Sequence, residues 1–433
     1  MTDISRNVST HKRTLVPLFL TVFLDMMGVG IALPVLAVIV LDTPVSILPA
    51  HTSLATRSIL YGFLLAAYPL LQFFGSPILG AASDRYGRKV TLIMSLFGTL
   101  VGYALFAIGI VTRNVPLLFF SRALDGFTGG NISIAMSAAA DISQEKSLKT
   151  RNFGLLGMAF GLGFILGPYI GGKLSDSTLH PALSIATPFW FAAALSVINI
   201  LLFLVFFQET LHTRSKARIS LFTGFYNIKR AMEISHLRTI LLVVFILTLG
   251  FNFFVQFFQV FLIEKFHYNQ SNIGDFFGYA GVWIAIVQGF LVRPITKRFG
   301  LRRTIAVCSF LLALLLPALL LPNTSIYLYL LIPFIAIAEG LLDPAASTIV
   351  SDLAGEEMQG EIIGIKQSLQ ALAAAIPPII GGFISTIHPN LPIFVASTVT
   401  FIAWLLFVFY FHEQPGPNVH AQFPLFDEAG KKQ

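Results

Sequence analysis

Apolar residues along this chain come in runs of about 20, separated by short polar stretches that carry most of the charge. A bilayer-crossing helix needs about 20 predominantly apolar residues. Twelve runs meet that length, at roughly 15–41, 58–82, 90–112, 115–140, 152–174, 187–208, 239–263, 273–295, 304–321, 325–351, 361–387 and 391–411. They are numbered below as spans 1 to 12. Backbone polar groups in hydrocarbon must be satisfied within each segment, and the runs are too long for the ~10-residue alternating strands of a membrane barrel. The pattern predicts an all-α membrane protein with twelve transmembrane helices.

The longest interior loop, 211–238, is basic and lies at the midpoint, between spans 6 and 7. On either side of it, segments correspond at an offset near 210, the weak internal symmetry of a transporter built from repeated halves. Asp84 through Lys89 matches Lys297 through Arg302, and Gly154 through Gly172 matches Gly364 through Gly382. The third pair is Phe207-Gln208-Glu209 with Phe411-His412-Glu413. The division expected is a six-helix half over 1–210, a cytoplasmic linker over 211–238, and a second six-helix half with a cytoplasmic tail over 239–433. Six spans per half is even, so both copies share one orientation and a substrate should bind between them near mid-depth.

Composition agrees. Hydrophobic residues make up 55% and charged residues 11% of the 433, against roughly 25% charged in a soluble domain. The net charge of +7 would suit nucleic acid, but its placement excludes that partner. Of 28 Lys and Arg, Arg122 and Lys366 lie inside spans, while Arg57, Arg113, Lys173 and Lys265 fall on one side of the membrane. The other 22 fall on the opposite side, which by the positive-inside rule places both termini in the cytoplasm. The polar first 14 residues and the 27-residue run after them do not read as a cleaved signal, whose apolar core is about 7 to 15 residues. Asn7, Asn131 and Asn323 begin glycosylation triplets that carry no weight, since such triplets are common by chance.

The lone Cys308 excludes an internal disulfide and offers no metal constellation. A Walker loop, zinc-ligand spacing and a Gly-x-Ser-x-Gly elbow are all lacking, so neither enzyme chemistry, nor a cofactor, nor a metal is expected. The expected partners are a small-molecule substrate, protons and the lipid bilayer, with the chain monomeric. Short loops without an added domain favour a bacterial inner membrane.

Three motifs carry chemistry. In the short turn after span 2 stands Gly80-Ala81-Ala82-Ser83-Asp84-Arg85-Tyr86-Gly87-Arg88-Lys89. Its glycines permit a tight turn, and one carboxylate among three cations can form pairs or face a helix N-terminus. It resembles motif A of the major facilitator superfamily. Span 4 places Arg122, Asp125 and Gly129 on one helix face, resembling motif B. An Arg at that depth needs a partner or water, and Asp125 and Asp25 are the candidates. Span 5 carries Gly157, Gly161, Gly163, Gly167, Pro168, Gly171 and Gly172, resembling motif C, the antiporter pattern of the superfamily. Small residues there let helices approach closely, and Pro168 can bend the helix.

Together with Leu24-Asp25-Met26-Met27-Gly28-Val29-Gly30, these segments resemble the tetracycline/proton antiporter branch of the drug exporters, strongly over 20–210 and more thinly beyond. The resemblance implies that Asp25 and Arg122 belong to the proton-coupling machinery; Asp125, one turn from Arg122, is the further proton-coupling candidate. The tetracycline carriers place acids in span 3, where this chain has Gly102, and in span 9, where Leu311 or Leu312 stands. A span 8 histidine of some members gives way to Ile284. These departures argue against tetracycline itself.

The second half has its own polar set. Glu339 and Asp343 are four apart in span 10, and Lys366 and Gln370 are four apart in span 11. Asn252, Gln256 and Gln259 line span 7 at helical spacing, and Tyr61, Tyr68 and Gln72 stand in span 2. Intramembrane polar residues usually face a bundle interior or a wet cavity, so these are candidate substrate contacts; each Gln, Asn or Tyr alone could equally glue helices together. The leading expectation is proton-coupled export by alternating access, of a drug-like molecule, siderophore or metabolite. The alternative is a metabolite importer, symporter or facilitator, on the same scaffold.

Overall fold

The computed structural model describes residues 2–41, 46–143, 146–211, 220 and 222–411. Among them there is no strand; the chain forms fourteen α-helices and one π-helical segment. In order these are α1 Thr2–Leu41, α2 Leu54–Tyr86, α3 Arg88–Val111, α4 Val115–Thr128, α5 Asn131–Asp141, α6 Lys146–Leu174 and α7 Thr187–Phe206. Then come α8 Thr223–Glu233, α9 Ser235–Phe266, α10 Gln270–Ile286, the π segment Val287–Leu291, α11 Val292–Phe299, α12 Leu301–Ala318, α13 Ile326–Ile384 and α14 Leu391–Tyr410.

Eleven stretches in the described residues are long and apolar enough to cross a membrane. The twelfth, span 4, is interrupted: α4 ends and α5 begins across Gly129 and Gly130, leaving pieces of 14 and 11 residues. Conversely, α13 runs 59 residues through spans 10 and 11. It cannot be straight, because Lys366 meets Asp343 at 3.4 Å although they are 23 residues apart, about 34 Å along an unbroken helix. The chain therefore turns back on itself between Asp343 and Lys366.

Local chemistry sets the ends. Ser53 caps α2 by accepting from the Thr56 amide, Asn114 caps α4 through Leu117, and Asn269 with Asn272 forms a reciprocal capping box on α10. The α2–α3 and α11–α12 connections are each a single glycine with positive φ, Gly87 at 110° and Gly300 at 79°. Only glycine adopts that geometry without strain. The recurrence of this turn is the internal repeat made visible in the backbone.

Two pairs of helices join the halves, at the end away from these basic turns. On α2, a Cβ at Gly62 would lie 2.1 Å from the Pro378 carbonyl oxygen of α13. On α6, a Cβ at Gly172 would lie 2.4 Å from the Gln270 carbonyl oxygen at the start of α10. The same end holds an ion pair across the halves, Lys173 Nζ to Asp275 Oδ2 at 2.8 Å. Toward the basic end α6 and α10 part company: Gly161 meets only Gln288, and Gly157 and Gly154 face open space. The halves are therefore shut at one end and apart at the other.

Candidate functional site

The first cluster is buried among α1 to α5. Arg122 reaches Asp125 one turn along α4, Nη1 to Oδ2 at 3.4 Å, and its guanidinium lies 4.7 Å above the Tyr68 ring of α2. Of the two candidate partners, Asp125 is the one in contact. Asp25 of α1 accepts instead from Asn131 Nδ2 at 3.4 Å, and the Tyr68 hydroxyl faces it. Tyr68, Asp25, Arg122, Asp125 and Asn131 are all buried. The Thr99 hydroxyl faces Asp125 as the Tyr68 hydroxyl faces Asp25, while Arg122 Nε and Asn131 Oδ1 lack a hydrogen-bond partner.

The interruption of span 4 builds this arrangement. Gly130 sits against the Ser76 backbone of α2, and Gln72 donates to the carbonyl of Gly129 at 2.9 Å. After this turn Asn131 starts α5 beside Asp25. A glycine row on α6 sets the position of α1: Cβ atoms at Gly163 and Gly167 would lie 2.3 Å from Phe23 O and 2.5 Å from Met27 O, on either side of Asp25. Pro168 packs its Cδ near Gly30.

At an effective dielectric near 20 a close ion pair is worth about 4 kcal/mol, while desolvation costs several kcal/mol per ion. The Arg122–Asp125 attraction alone thus does not repay the burial of both ions. One cation stands among two carboxylates, so a proton is the smallest species that can supply the missing charge.

The second polar cluster lies on the two spans of α13. Lys366 Nζ contacts Asp343 Oδ1 and the Ser347 hydroxyl, and Gln370 Nε2 lies 3.5 Å from the same Asp343 oxygen. The Asp343 side chain is 53% exposed while Lys366 is 15% exposed, so the carboxylate offers an open face. Glu339 is one turn away, beside Gly340, which packs on Val287 of the π segment.

Other candidates fall elsewhere. Tyr61 is fully buried and donates to the Gln256 carbonyl at 2.7 Å, joining α2 to α9 at the shut end. Gln256 in turn bonds Asn252 and the Ala374 carbonyl. Gln259 is buried with Oε1 unpartnered, and Tyr68 and Gln72 serve the first cluster.

Sequence comparison identifies the scaffold. The Major Facilitator Superfamily profile matches residues 18–293 and 240–425. The chain belongs to the Major Facilitator Superfamily. It is therefore an integral, multi-pass membrane transporter and not an enzyme. It is 31% identical to the tetracycline resistance protein, class E, of Escherichia coli, over 94% of this chain and 97% of that one. Multidrug resistance protein 2 of Bacillus subtilis is 25% identical over 92% of this chain and 95% of its own length. In structure it resembles the human organic anion transporter MFSD10 (TETRAN), with TM-score 0.70 and 23% identity, covering 92% of this chain and 99% of that one. A D-xylose-proton symporter shares the fold at TM-score 0.75 and 14% identity, over 92% and 97% of the two chains.

Within this superfamily scaffold, motif A forms a compact network. Arg88 Nη1 binds Asp84 at 2.5 Å and its Nε binds Asp141 of α5 at 3.0 Å. Glu209, just beyond α7, accepts from the Arg88 and Lys89 amides at 2.9 and 3.1 Å, capping the α3 N-terminus. Burial pushes the Glu209 carboxyl up, but the Leu211, Lys89, Arg88 and Thr210 amides outweigh it and hold the group below the ordinary glutamate value. Arg85 instead stacks on Tyr86.

The departures from the tetracycline carriers have a physical side. A Cβ at Gly102 would stand 2.9 Å from the Asp125 Cβ, so α3 offers no room for an acid beside Asp125. Leu312 is buried in apolar surroundings and Leu311 is exposed. Sequence reasoning did not pick out Asn131, Thr99 or Glu209 as site residues. For Glu209 a signal existed, its place in the repeated Phe-x-Glu. For Asn131 there was only a glycosylation triplet.

Proposed function

We propose that this chain is a proton-coupled antiporter exporting a small organic compound by alternating access. Asp25 and Asp125 share one cation, Arg122, and exchange of a proton for that pairing drives the cycle. The observation that carries this reading is the buried Arg122–Asp125 pair beside Asp25, two carboxylates with one cation among them. The face of α13 bearing Glu339, Asp343, Lys366 and Gln370 serves as the substrate contact in the open cleft. The relatives named for tetracycline and multidrug resistance support export of a drug-like compound. The basic end faces the cytoplasm of a bacterial inner membrane, with both termini on that side, as the 22-to-4 distribution of cations supports.

Residues 1–210 and 239–433 act as the rocking bodies, joined by 211–238. In one state they meet at the small-residue contacts of Gly62 and Gly172; in the other, the vacant glycine face of α6 at Gly154 and Gly157 receives its partner. The test is Asp25→Asn in proteoliposomes, with a compound chosen by thermal shift. Counterflow should persist while accumulation driven by a pH gradient falls at least about tenfold. Undiminished accumulation would remove Asp25 from the coupling role.

A further inference from the structure

Helices α2 and α13 run antiparallel and touch where Gly62 meets Pro378 and Gly382 meets Ser58. About three turns further along α2 stands Phe73, and an equal distance back along α13 stands Ser368. The two residues stand at about the same level on helices of different halves. The helix α8 touches both.

On one side, a Cβ at Gly224 would be 2.7 Å from the Phe73 ring, and Phe225 packs edge-on to Phe73 with centroids 5.2 Å apart and against Phe74 at 5.9 Å. On the other side, Asn227 donates to the Ser368 hydroxyl at 3.1 Å. Ile228 packs into the main core, while Tyr226 is exposed and Lys229 pairs along the outer face with Glu233. One face of an eleven-residue helix is thus fitted to two helices from different halves. Phe73 is only 1% exposed and Ser368 7%, with α8 lying against both.

We propose that α8 is a built-in wedge that holds the basic end of the transporter open and must withdraw before that end can shut. A helix with its side chains is about 10 Å across, so α2 and α13 cannot reach the contact at this level that they make at Gly62 while α8 is in place. Its departure costs the Phe225 stack and the Asn227 hydrogen bond, and this opposes closure. The inference rests on the alternating-access reading, since a wedge acts only between bodies that move.

The experiment places spin labels at Val90→Cys and Arg303→Cys, on the first turns of α3 and α12, in the full chain with Cys308→Ala. Pulsed electron resonance reads the distance between them. The double variant Phe225→Ala with Asn227→Ala should raise the ratio of short to long distances about fivefold, whereas Phe225→Trp, which keeps an aromatic ring, should leave it near the wild-type ratio. Gly172→Val, which obstructs closure at the opposite end, is the control for rocking itself. If Gly172→Val yields the short distance and the double variant does not, the wedge is overturned while alternating access stands. If neither variant yields it, both fall together.

Discussion

Glu209 receives four backbone amides and terminates α3 with a negative charge where the helix dipole is positive. Replacing it with Gln should cost about 1 kcal/mol at neutral pH, after allowing for the screening of an exposed site. Its native pKa is depressed, so the contribution is fully present above the ordinary value of 4.5. It is lost as pH falls through the lower native value. Thermal unfolding in detergent across that range should show Glu209→Gln and wild type converging at acid pH; a constant gap would mean the charge is not what matters. At the proposed substrate face, Lys366→Asp combined with Asp343→Lys preserves the ion pair but reverses its polarity. Stability should recover and transport should not. Full transport by the swapped protein would make the pair purely structural.

At the scale of helices, the shut end depends on side chains that are absent. Gly172→Val places atoms where the Gln270 carbonyl stands 2.4 Å from an ideal Cβ, so the α6–α10 contact cannot form without backbone shifts of ångström size. Transport should fall by at least an order of magnitude while the protein still purifies as a folded monodisperse species; wild-type turnover would show that this contact is not used. The helices themselves were legible in the sequence because hydropathy over about 20 residues is a strong signal. The interruption at Gly129–Gly130 was not, because two glycines hardly change a window of that length. What breaks the helix is tertiary: Gly130 against Ser76 and the Gln72 bond to Gly129. The π segment Val287–Leu291 escapes a pattern reading because one wider turn leaves the hydropathy of its window unchanged. Asp25, Arg122 and Asp125 could be picked out as charges at depth, whereas Asn131 enters the cluster only through that interruption.

For the whole molecule, the arrangement shut at one end and open at the basic end is one of the two states that the proposed alternating access requires. The charge distribution predicts that alkaline phosphatase fused after Gln433 is inactive and that a fusion in the loop bearing Arg113 is active; the reverse pattern would invert the assigned topology. Sequence placed the two halves by their repeat, but could not say that α8 stands between them, since eleven residues in a basic loop carry no mark of what they touch. The central claim is that substrate leaves in exchange for protons. Its most direct test is a proton flux: wild-type protein in vesicles enclosing a pH-sensitive dye, given a substrate gradient with no pH gradient imposed. The account predicts proton movement opposite in direction to the substrate, abolished in Asp25→Asn. Proton movement in the same direction as the substrate, or none at all, would contradict it.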